Sequence, residues 1–471
     1  MRGVLSVSKT DRLNKVGSRE MFEKANTVIP GGVTANIKYF DPYPIFMKYG
    51  KGSKLIDVDD MEYIDYSLCY GALITGHGHS RITEATFNYM QTIGTTIFGT
   101  PHELEITMAE KLIEHYPGID RVRYTNSGLE ATLLAIRFAT AYTNKSKIAK
   151  FEGHYHGGHN QVLVSVNPSE EEAGDAHQPN SVPESDGILN EERENTIVLP
   201  FNDLAATEAI LRQHAHELAG VILEPVQGGF IPAEPDFIHG LRALTKELNI
   251  LLIFDEVKTG YRVGLGGSQR KYGVVPDLTA LGKVIGGGFP IGALGGRADI
   301  MDLSAASKES DVFTVGDTNT RKRDQVVFHS GTYNGHPIVL AAGLETIHML
   351  EENNTMEKLI ANTDYLRESL ENMYAAYDVN MKTIGEGSIF NIVFSDYPIR
   401  NYRDMWQANT ALRQAIDEQL LNLGIFLKPL NRYSMSLAHT AEDIEKTVAA
   451  HKQAIENVLA KQRSSSRKVA K

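Results

Sequence analysis

Cysteine is almost missing from this chain. Cys69 is the only one in 471 residues, which excludes an internal disulfide and any cysteine-rich metal centre. Long apolar runs are missing as well: none reaches the roughly 20 residues of a membrane-spanning helix, and residues 250–254 are only of strand length. Positive charge is in deficit, with 47 Lys and Arg against 59 Asp and Glu and a formal net charge of −12. Such a chain lacks the clustered basic footprint that a nucleic-acid backbone requires. The one basic cluster, residues 463–471, lies in a Ser-rich tail and is expected to be disordered. Residues 1–15 are interrupted by Lys9, Asp11 and Arg12 and hold no continuous apolar signal core. Neither nucleic acid nor membrane is an expected partner, and a cytoplasmic setting is expected.

What is present suits a large folded core. Hydrophobic residues make up 42% of the chain, and its 41 glycines sit slightly above the usual ~7%. An amphipathic helix pattern from Ser18 stops at Pro30-Gly31-Gly32. Residues 44–47, 54–58 and 63–66 then read as a small β-meander. Beyond Gly76, helical stretches (82–93, 103–115, 129–142, 238–248) alternate with short apolar runs (121–124, 147–151, 162–166, 220–223, 250–254). That alternation predicts an α/β fold with a mostly parallel sheet flanked by helices. From Pro337 onward, long helices, a strand at 388–394, a helix near 406–423 and a closing helix after Asp443 predict a smaller α+β domain. The expected division is an N-terminal segment (1–75), a large α/β domain (76–336), a C-terminal domain (337–460) and a tail (461–471). Two polar stretches, 167–195 and 304–324, are long enough to be lids or disordered segments.

In an open parallel sheet, ligands bind beyond the carboxyl ends of the strands. After 121–124 comes Thr125-Asn126-Ser127-Gly128-Leu129, a small polar turn opening a helix. It suits phosphate, and equally an ordinary serine N-cap. After 147–151 comes Glu152-Gly153-His154-Tyr155-His156-Gly157-Gly158-His159. Its three histidines admit a metal-dependent hydrolase, although no carboxylate or cysteine stands at ligand spacing and no metal is expected. Tyr155 could instead lay its ring on a planar cofactor. Residues 250–254 deliver Asp255-Glu256 at a buried strand end, where a carboxylate needs a cationic partner such as a protonated ring nitrogen. Lys283 stands between the apolar run 278–281 and Gly286-Gly287-Gly288. Val284 follows it where a nucleotide phosphate loop needs Ser or Thr. A lysine among apolar neighbours suits Schiff-base chemistry.

Together these motifs resemble the fold-type I, class III aminotransferases, which use pyridoxal 5′-phosphate. Ile29-Pro30-Gly31-Gly32-Val33, Asp57-Val58-Asp59, Gly76-His77-Gly78-His79, Tyr155-His156-Gly157 and Ser436-Leu437-Ala438-His439-Thr440 narrow the resemblance to the branch that contains glutamate-semialdehyde aminomutase. It implies a seven-stranded, mostly parallel sheet and a set of roles. Lys283 is then the Schiff-base lysine and proton shuttle, and Asp255 holds the pyridine nitrogen protonated. Val257 and Tyr155, with His156 beside it, flank the ring, and Ser127, Gly128 and Leu129 take the phosphate. Gly331-Thr332 of a neighbouring subunit closes the phosphate site, which implies a homodimer, and 167–195 falls where the branch carries a lid. Lys38, Tyr70, Asn431 and Arg432 are the substrate-side candidates. Here the chain departs from the aminomutase pattern: Lys38 replaces a substrate-binding arginine, Ala35 and Pro168 replace serines, Asn431 replaces a glutamate, and Lys258 is unusual beside the cofactor hydroxyl. The resemblance implies amino-group transfer between an amine or amino acid and a keto or aldehyde acceptor. An aminomutase, racemase or epimerase on the same scaffold is the alternative.

Overall fold

The computed structural model describes residues 15–305 and 326–469; most of the polar stretch 304–324 and most of the first fifteen residues lie outside them. The chain divides into two compact units. The larger comprises Arg81–Met356 and Ile399–Trp406, the smaller Met1–Ser80, Glu357–Pro398 and Gln407–Lys471. No helix among the described residues is long and apolar enough to cross a membrane.

The larger unit is built on a seven-stranded sheet. Its strands are β1 (Arg121–Thr125), β2 (Lys147–Phe151), β3 (Thr196–Leu199), β4 (Leu218–Leu223), β5 (Leu251–Asp255), β6 (Leu278–Gly282) and β7 (Gly292–Gly296), in the order β1-β7-β6-β5-β4-β2-β3. The pairs β6–β5, β5–β4, β4–β2 and β2–β3 are parallel. Only β7, between β1 and β6, runs antiparallel. The central strands β4, β5 and β6 are buried along their whole length, as expected of a sheet covered on both faces. Against it packs the helix Gly128–Thr143, whose Leu134, Ala135, Ile136, Phe138 and Ala139 join Ile148, Ile222 and Ile253 in one apolar cluster.

Glycine explains both β7 and the turn after β6. A Cβ on Gly292 would lie 2.1 Å from Ser127 O, and one on Gly296 2.6 Å from Asp277 O, so neighbouring backbone occupies the space a side chain would need. A Cβ on Gly343 would lie 1.9 Å from Ile285 O. The helix Pro337–Glu351 therefore lies directly on the 283–287 turn and belongs with the larger unit, although its sequence reads as the start of the C-terminal domain.

The smaller unit holds the antiparallel meander Met47–Lys51, Lys54–Asp57 and Glu62–Asp65, extended by a parallel strand Ile425–Phe426. A second, three-stranded sheet consists of Met381–Glu386, Ile389–Phe394 and Tyr433–Ser434. Its closing helix, Ala441–Val469, runs through the Ser-rich tail to Val469, which corrects the expected disorder there. No Gly or Pro interrupts those residues, so a helix already anchored by packing propagates through them.

Buried histidine makes this unit acid-sensitive. His451 is fully buried between two phenols, with Nδ1 2.9 Å from Tyr374 OH and Nε2 3.1 Å from Tyr433 OH. Burial, reinforced by Arg413, drives it down to about 3. In the unfolded chain it titrates near 6.5, so below that pH the unfolded state binds more protons. The stability it contributes is present above pH 6.5 and is lost as pH falls toward 3, at about 1.4 kcal/mol per pH unit. Urea midpoints should drop between pH 7 and pH 5, and His451→Gln should flatten that drop while lowering stability at pH 7.

Candidate active site

Four of the motifs singled out in the sequence meet at the carboxyl edge of the sheet. Gly282 pairs with Gly292 and Gly292 with Thr125, so the end of β6 and the end of β1 lie in one row across β7. Lys283 and Asn126 each stand one residue beyond that row. Asp255 pairs with Ala280 at the end of β5. A Cβ on Gly128 would lie 2.4 Å from Val257 Cγ1, and one on Gly282 would lie 3.2 Å from the same methyl and 3.6 Å from Gly128 Cα. The Ser127–Gly128 turn, Val257 and the Gly282–Lys283 turn are thus in mutual contact, and only glycine permits it.

Ser127 is the N-cap of Gly128–Thr143: its Oγ accepts from Glu130 N at 3.2 Å, while Glu130 Oε2 accepts from Asn126 N at 2.7 Å. The cap and phosphate readings are compatible. Accepting that bond leaves the hydroxyl proton to donate, and the first-turn amides of Gly128 and Leu129 have no carbonyl to pair with inside the helix. A helix N-terminus so arranged attracts an anion.

Asp255 is 5% exposed. Its Oδ1 accepts from Val257 N at 3.0 Å, and its Oδ2 lies 2.8 Å from Nδ1 of the buried His156. His156 is itself fixed by Thr132, whose Oγ1 donates to His156 O at 2.6 Å. Tyr155 N donates to Glu224 Oε2 at 3.0 Å, and the Tyr155 side chain is exposed. Glu224 accepts from Gly228 N as well. Burial pushes its carboxyl up, with His156 opposing and Asp255 adding to the rise. Glu224 and Thr132 were missed in the sequence, yet Glu224 directly follows β4 and the strand-end rule would have found it.

Glu256 corrects the sequence reading. Alternation along the strand turns it away from Asp255, and it serves as a structural cap. Its Oε2 accepts from Ser268 N at 2.7 Å and Thr259 Oγ1 at 3.3 Å, and its Oε1 from Gln269 N at 3.3 Å. Fully buried, it is pushed up to about 7, against the pull of those hydrogen bonds. Asp255 has a histidine partner, whereas Glu256 is satisfied by backbone amides.

The histidine-rich loop does not converge on an ion. His156 Nδ1 is committed to Asp255, and His154 Nδ1 accepts from Glu224 N at 3.0 Å. Among the described residues, the only group with ligand atoms in mutual reach of a metal is Glu114, His115 and Glu351. Two of its members are already tied to Lys111. Burial holds His154 well below the ordinary histidine range and His159 down to about 4.

Lys283 is half-buried and opens a short helical turn, Lys283–Gly286, with φ +50°. That left-handed conformation is uncommon for a side chain other than Gly, Asn or Asp. Thr332 is exposed on the turn before Pro337–Glu351. Asn334 ties this turn to the 126–128 turn by accepting from Asn126 Nδ2 at 3.1 Å.

Residues 38–455 match the class-III aminotransferase family. The chain belongs to that family. It is 40% identical over 447 residues to the glutamate-1-semialdehyde 2,1-aminomutase of Ignicoccus hospitalis, covering 93% of this chain and 98% of the relative. It is 37% identical over 438 residues to the enzyme of the same name from Methanosarcina acetivorans, covering 92% and 97%. Among solved structures it is similar to an omega-transaminase from Sphaerobacter thermophilus, with TM-score 0.85, 36% identity and coverage of 93% and 97%. It is also similar to a β-phenylalanine aminotransferase from Variovorax paradoxus, with TM-score 0.80, 32% identity and coverage of 94% of each chain. The fold is the fold-type I transaminase fold, and pyridoxal phosphate is this class-III aminotransferase's cofactor.

The residues present fit that group. The open helix terminus at 127–129 suits the phosphate, the shielded Asp255 carboxylate suits a protonated ring nitrogen, and Val257 and the exposed Tyr155 ring suit two faces of a planar heterocycle.

The four substrate-side candidates lie in the smaller unit. Lys38 is exposed, with Nζ 2.7 Å from Thr34 Oγ1. Tyr70 is the last of three consecutive non-glycine residues at positive φ, Leu68, Cys69 and Tyr70, and its hydroxyl donates to Ile37 O at 3.0 Å. Lys428 Nζ lies 2.6 Å from the same carbonyl, a convergence the sequence did not reveal. Asn431 turns its side chain back to accept from Arg432 N at 2.8 Å, and the buried Arg413 donates to Asn431 O at 3.0 Å.

Proposed function

We propose that the chain is an aminotransferase that exchanges an amino group between an amine or amino acid and a keto or aldehyde acceptor, with Lys283 and Asp255 as its catalytic residues. The observation that carries this reading is the meeting of Lys283, Val257 and the Ser127–Gly128 turn at one sheet edge, beside Asp255. When bound, pyridoxal phosphate supplies an aldehyde that exchanges with the amine and a ring that accepts electron density.

The protein's own part is binding, orientation and proton movement. Ser127, Gly128 and Leu129 bind the phosphate. Asp255, oriented by His156, holds a proton on the ring nitrogen. Val257 and Tyr155 keep the ring plane fixed, and Lys283 Nζ takes the proton from the amine-bearing carbon of the substrate. Lys38, Tyr70, Asn431 and Arg432 are the substrate-side candidates in this reading. A homodimer in which Gly331-Thr332 of the partner completes the phosphate site is supported by the exposed Phe328 and Tyr333 on either side of that pair. A single cysteine suits a reducing cytoplasm.

A second reading, an aminomutase acting on glutamate 1-semialdehyde, is favoured by the name shared by the curated relatives from Ignicoccus and Methanosarcina. The side chains oppose it. An arginine grips a carboxylate through two parallel hydrogen bonds, whereas Lys38 offers a point charge on a flexible stem, already turned to Thr34. Losing a bidentate pair and hydroxyl contacts costs several kcal/mol, on the order of a hundredfold or more in rate. A donor panel decides between the two. Release of one keto product per site from enzyme and donor alone, before any acceptor is added, is expected for some amine or amino acid. Efficient isomerisation of glutamate 1-semialdehyde without consumption of a keto acid would establish the aminomutase.

A further inference from the structure

The chain leaves the smaller unit for eight residues, Ile399–Trp406, which group with the larger one. This segment is a compact turn. Asp404 Oδ2 accepts from Arg400 N at 2.7 Å and Asn401 N at 3.3 Å, and Asn202 Nδ2 donates to Arg400 O at 2.7 Å. From it Arg403 reaches two places far apart in sequence. Its Nε and Nη2 form a fork on the Glu152 carboxylate at 2.7 and 2.9 Å. The same guanidinium donates to the carbonyls of Gly174 at 2.8 Å, Ala173 at 2.9 Å and Asp175 at 3.1 Å. Beside it, Tyr402 OH donates to Pro168 O at 2.8 Å. The Tyr402 Cβ occupies the space a side chain on Gly153 would need, 2.5 Å from its ideal Cβ. Trp406, the only tryptophan in the sequence, lies under the Arg403 guanidinium at 5.5 Å and edge-on to Tyr402 at 5.7 Å.

Glu152 opens the loop that carries Tyr155 and His156. Downstream the loop is held through His154 O by the buried Lys150, through Tyr155 N by Glu224, and at His156 by Asp255 and Thr132. Upstream, Glu152 N donates to Leu199 O at 3.0 Å and Gly153 N to Ser165 O at 2.8 Å, while the Glu152 carboxylate is held by Arg403 and Gly153 is covered by Tyr402. One planar fork with five donors thus ties the cofactor-face loop to the 167–184 segment, a geometry lysine cannot reproduce.

We infer that Arg403 is a positioning residue, coupling the order of the 167–184 segment to the placement of Tyr155 and His156. The inference rests on the reading of those two residues as cofactor contacts.

Holoenzyme carrying Arg403→Ala or Arg403→Lys tests it through three readouts. Pyridoxal phosphate dissociation should be about tenfold stronger in favour of release for Arg403→Ala. Cleavage by a glutamyl endopeptidase at the exposed Glu170, Glu171 and Glu172, which precede Ala173, should accelerate at least tenfold. Trp406 emission should change in both variants. Arg403→Lys keeps a charge for Glu152 but gives up carbonyl contacts, so it should be cleaved faster than the parent while retaining the cofactor better than Arg403→Ala. If Arg403→Ala does not fold, Arg403→Lys and Glu152→Gln carry the test, and each must move cleavage and cofactor affinity together. Faster cleavage with unchanged cofactor affinity would make Arg403 a loop staple and overturn the inference, as would no change in either. A parent protein that fails to load pyridoxal phosphate would overturn the functional reading instead.

Discussion

Replacing Lys283 by Gly should abolish turnover and leave the protein at least as stable as before. If Lys283 is both the Schiff-base residue and the proton-moving amine, as proposed, its loss lowers kcat by about 10,000-fold or more, since positioned acid–base catalysis alone contributes 10²–10⁴-fold. The stability side follows from the backbone. Lys283 is held at φ +50°, where a side chain other than Gly, Asn or Asp is disfavoured by on the order of 1 kcal/mol. The surroundings impose this conformation. Gly282 before it is pressed between Val257 and Gly128, and the 285–287 backbone lies against Gly343 and Ala342 of the helix Pro337–Glu351. Glycine at 283 relieves the strain, so thermal unfolding should move up or stay constant while activity vanishes. Lys283→Ala should vanish equally in activity but keep the strain. Normal turnover in either variant would refute the role of Lys283, and a markedly destabilised Lys283→Gly would refute the strain.

The same turn shows what was legible in the sequence. Strands with β-branched or bulky apolar residues stood out: residues 121–124, 147–151 and 250–254 became β1, β2 and β5 within one or two residues. The helix predicted at 103–115 is Glu103–His115. Strand β7 was invisible because its Gly-Ala-Leu-Gly-Gly composition answers to the backbones packed on it, not to strand propensity. The run 162–166 looked like a strand but makes only an isolated bridge, Val164 to Pro183. Val162, Val164 and Ser165 are buried, Val162 in the apolar cluster of the sheet, and burial without a ladder produces the same apolar run. The first strand of the meander lies at Met47–Lys51, later than the 44–47 expected from apolar residues. Position along strand ends brought Asp255, Ser127, Tyr155 and Lys283 forward as candidates because that rule depends only on topology. It could not separate Asp255 from Glu256, whose difference lies in which face of the strand each occupies. Nor could it find Arg403, whose partners stand more than 220 residues away.

Asp255→Asn should lower kcat by between a hundred and a few thousand fold, while Glu256→Gln leaves it near the parent value. The two adjacent carboxylates differ in what they face. Asp255 keeps both oxygens engaged in one plane, Oδ1 with Val257 N and Oδ2 with His156 Nδ1, in a setting only 5% exposed. Its charge is the only one supplied by β5 to a cation at the sheet edge, and removing one partner of a buried ion pair costs about 3–5 kcal/mol, which is the fold-change above when expressed as a rate. The amide also disturbs the histidine. If its oxygen stays on Val257 N, its NH₂ points at His156 Nδ1, which must then give up its own proton to accept. His156→Ala leaves the carboxylate charged but free to turn, and should therefore cost less than Asp255→Asn and more than Glu256→Gln. Glu256 is engaged by the backbone amides of Ser268 and Gln269 and by Thr259, away from the Asp255 carboxylate, so Glu256→Gln keeps its shape and the 2.7 Å bond from Ser268 N and gives up only the longer bond from Gln269 N. Steady-state rates at saturating donor, measured on protein reconstituted with pyridoxal phosphate, rank the three variants. A Glu256→Gln loss as large as that of Asp255→Asn would show that the cap on Gly267–Tyr272 governs the site as much as the carboxylate beside it.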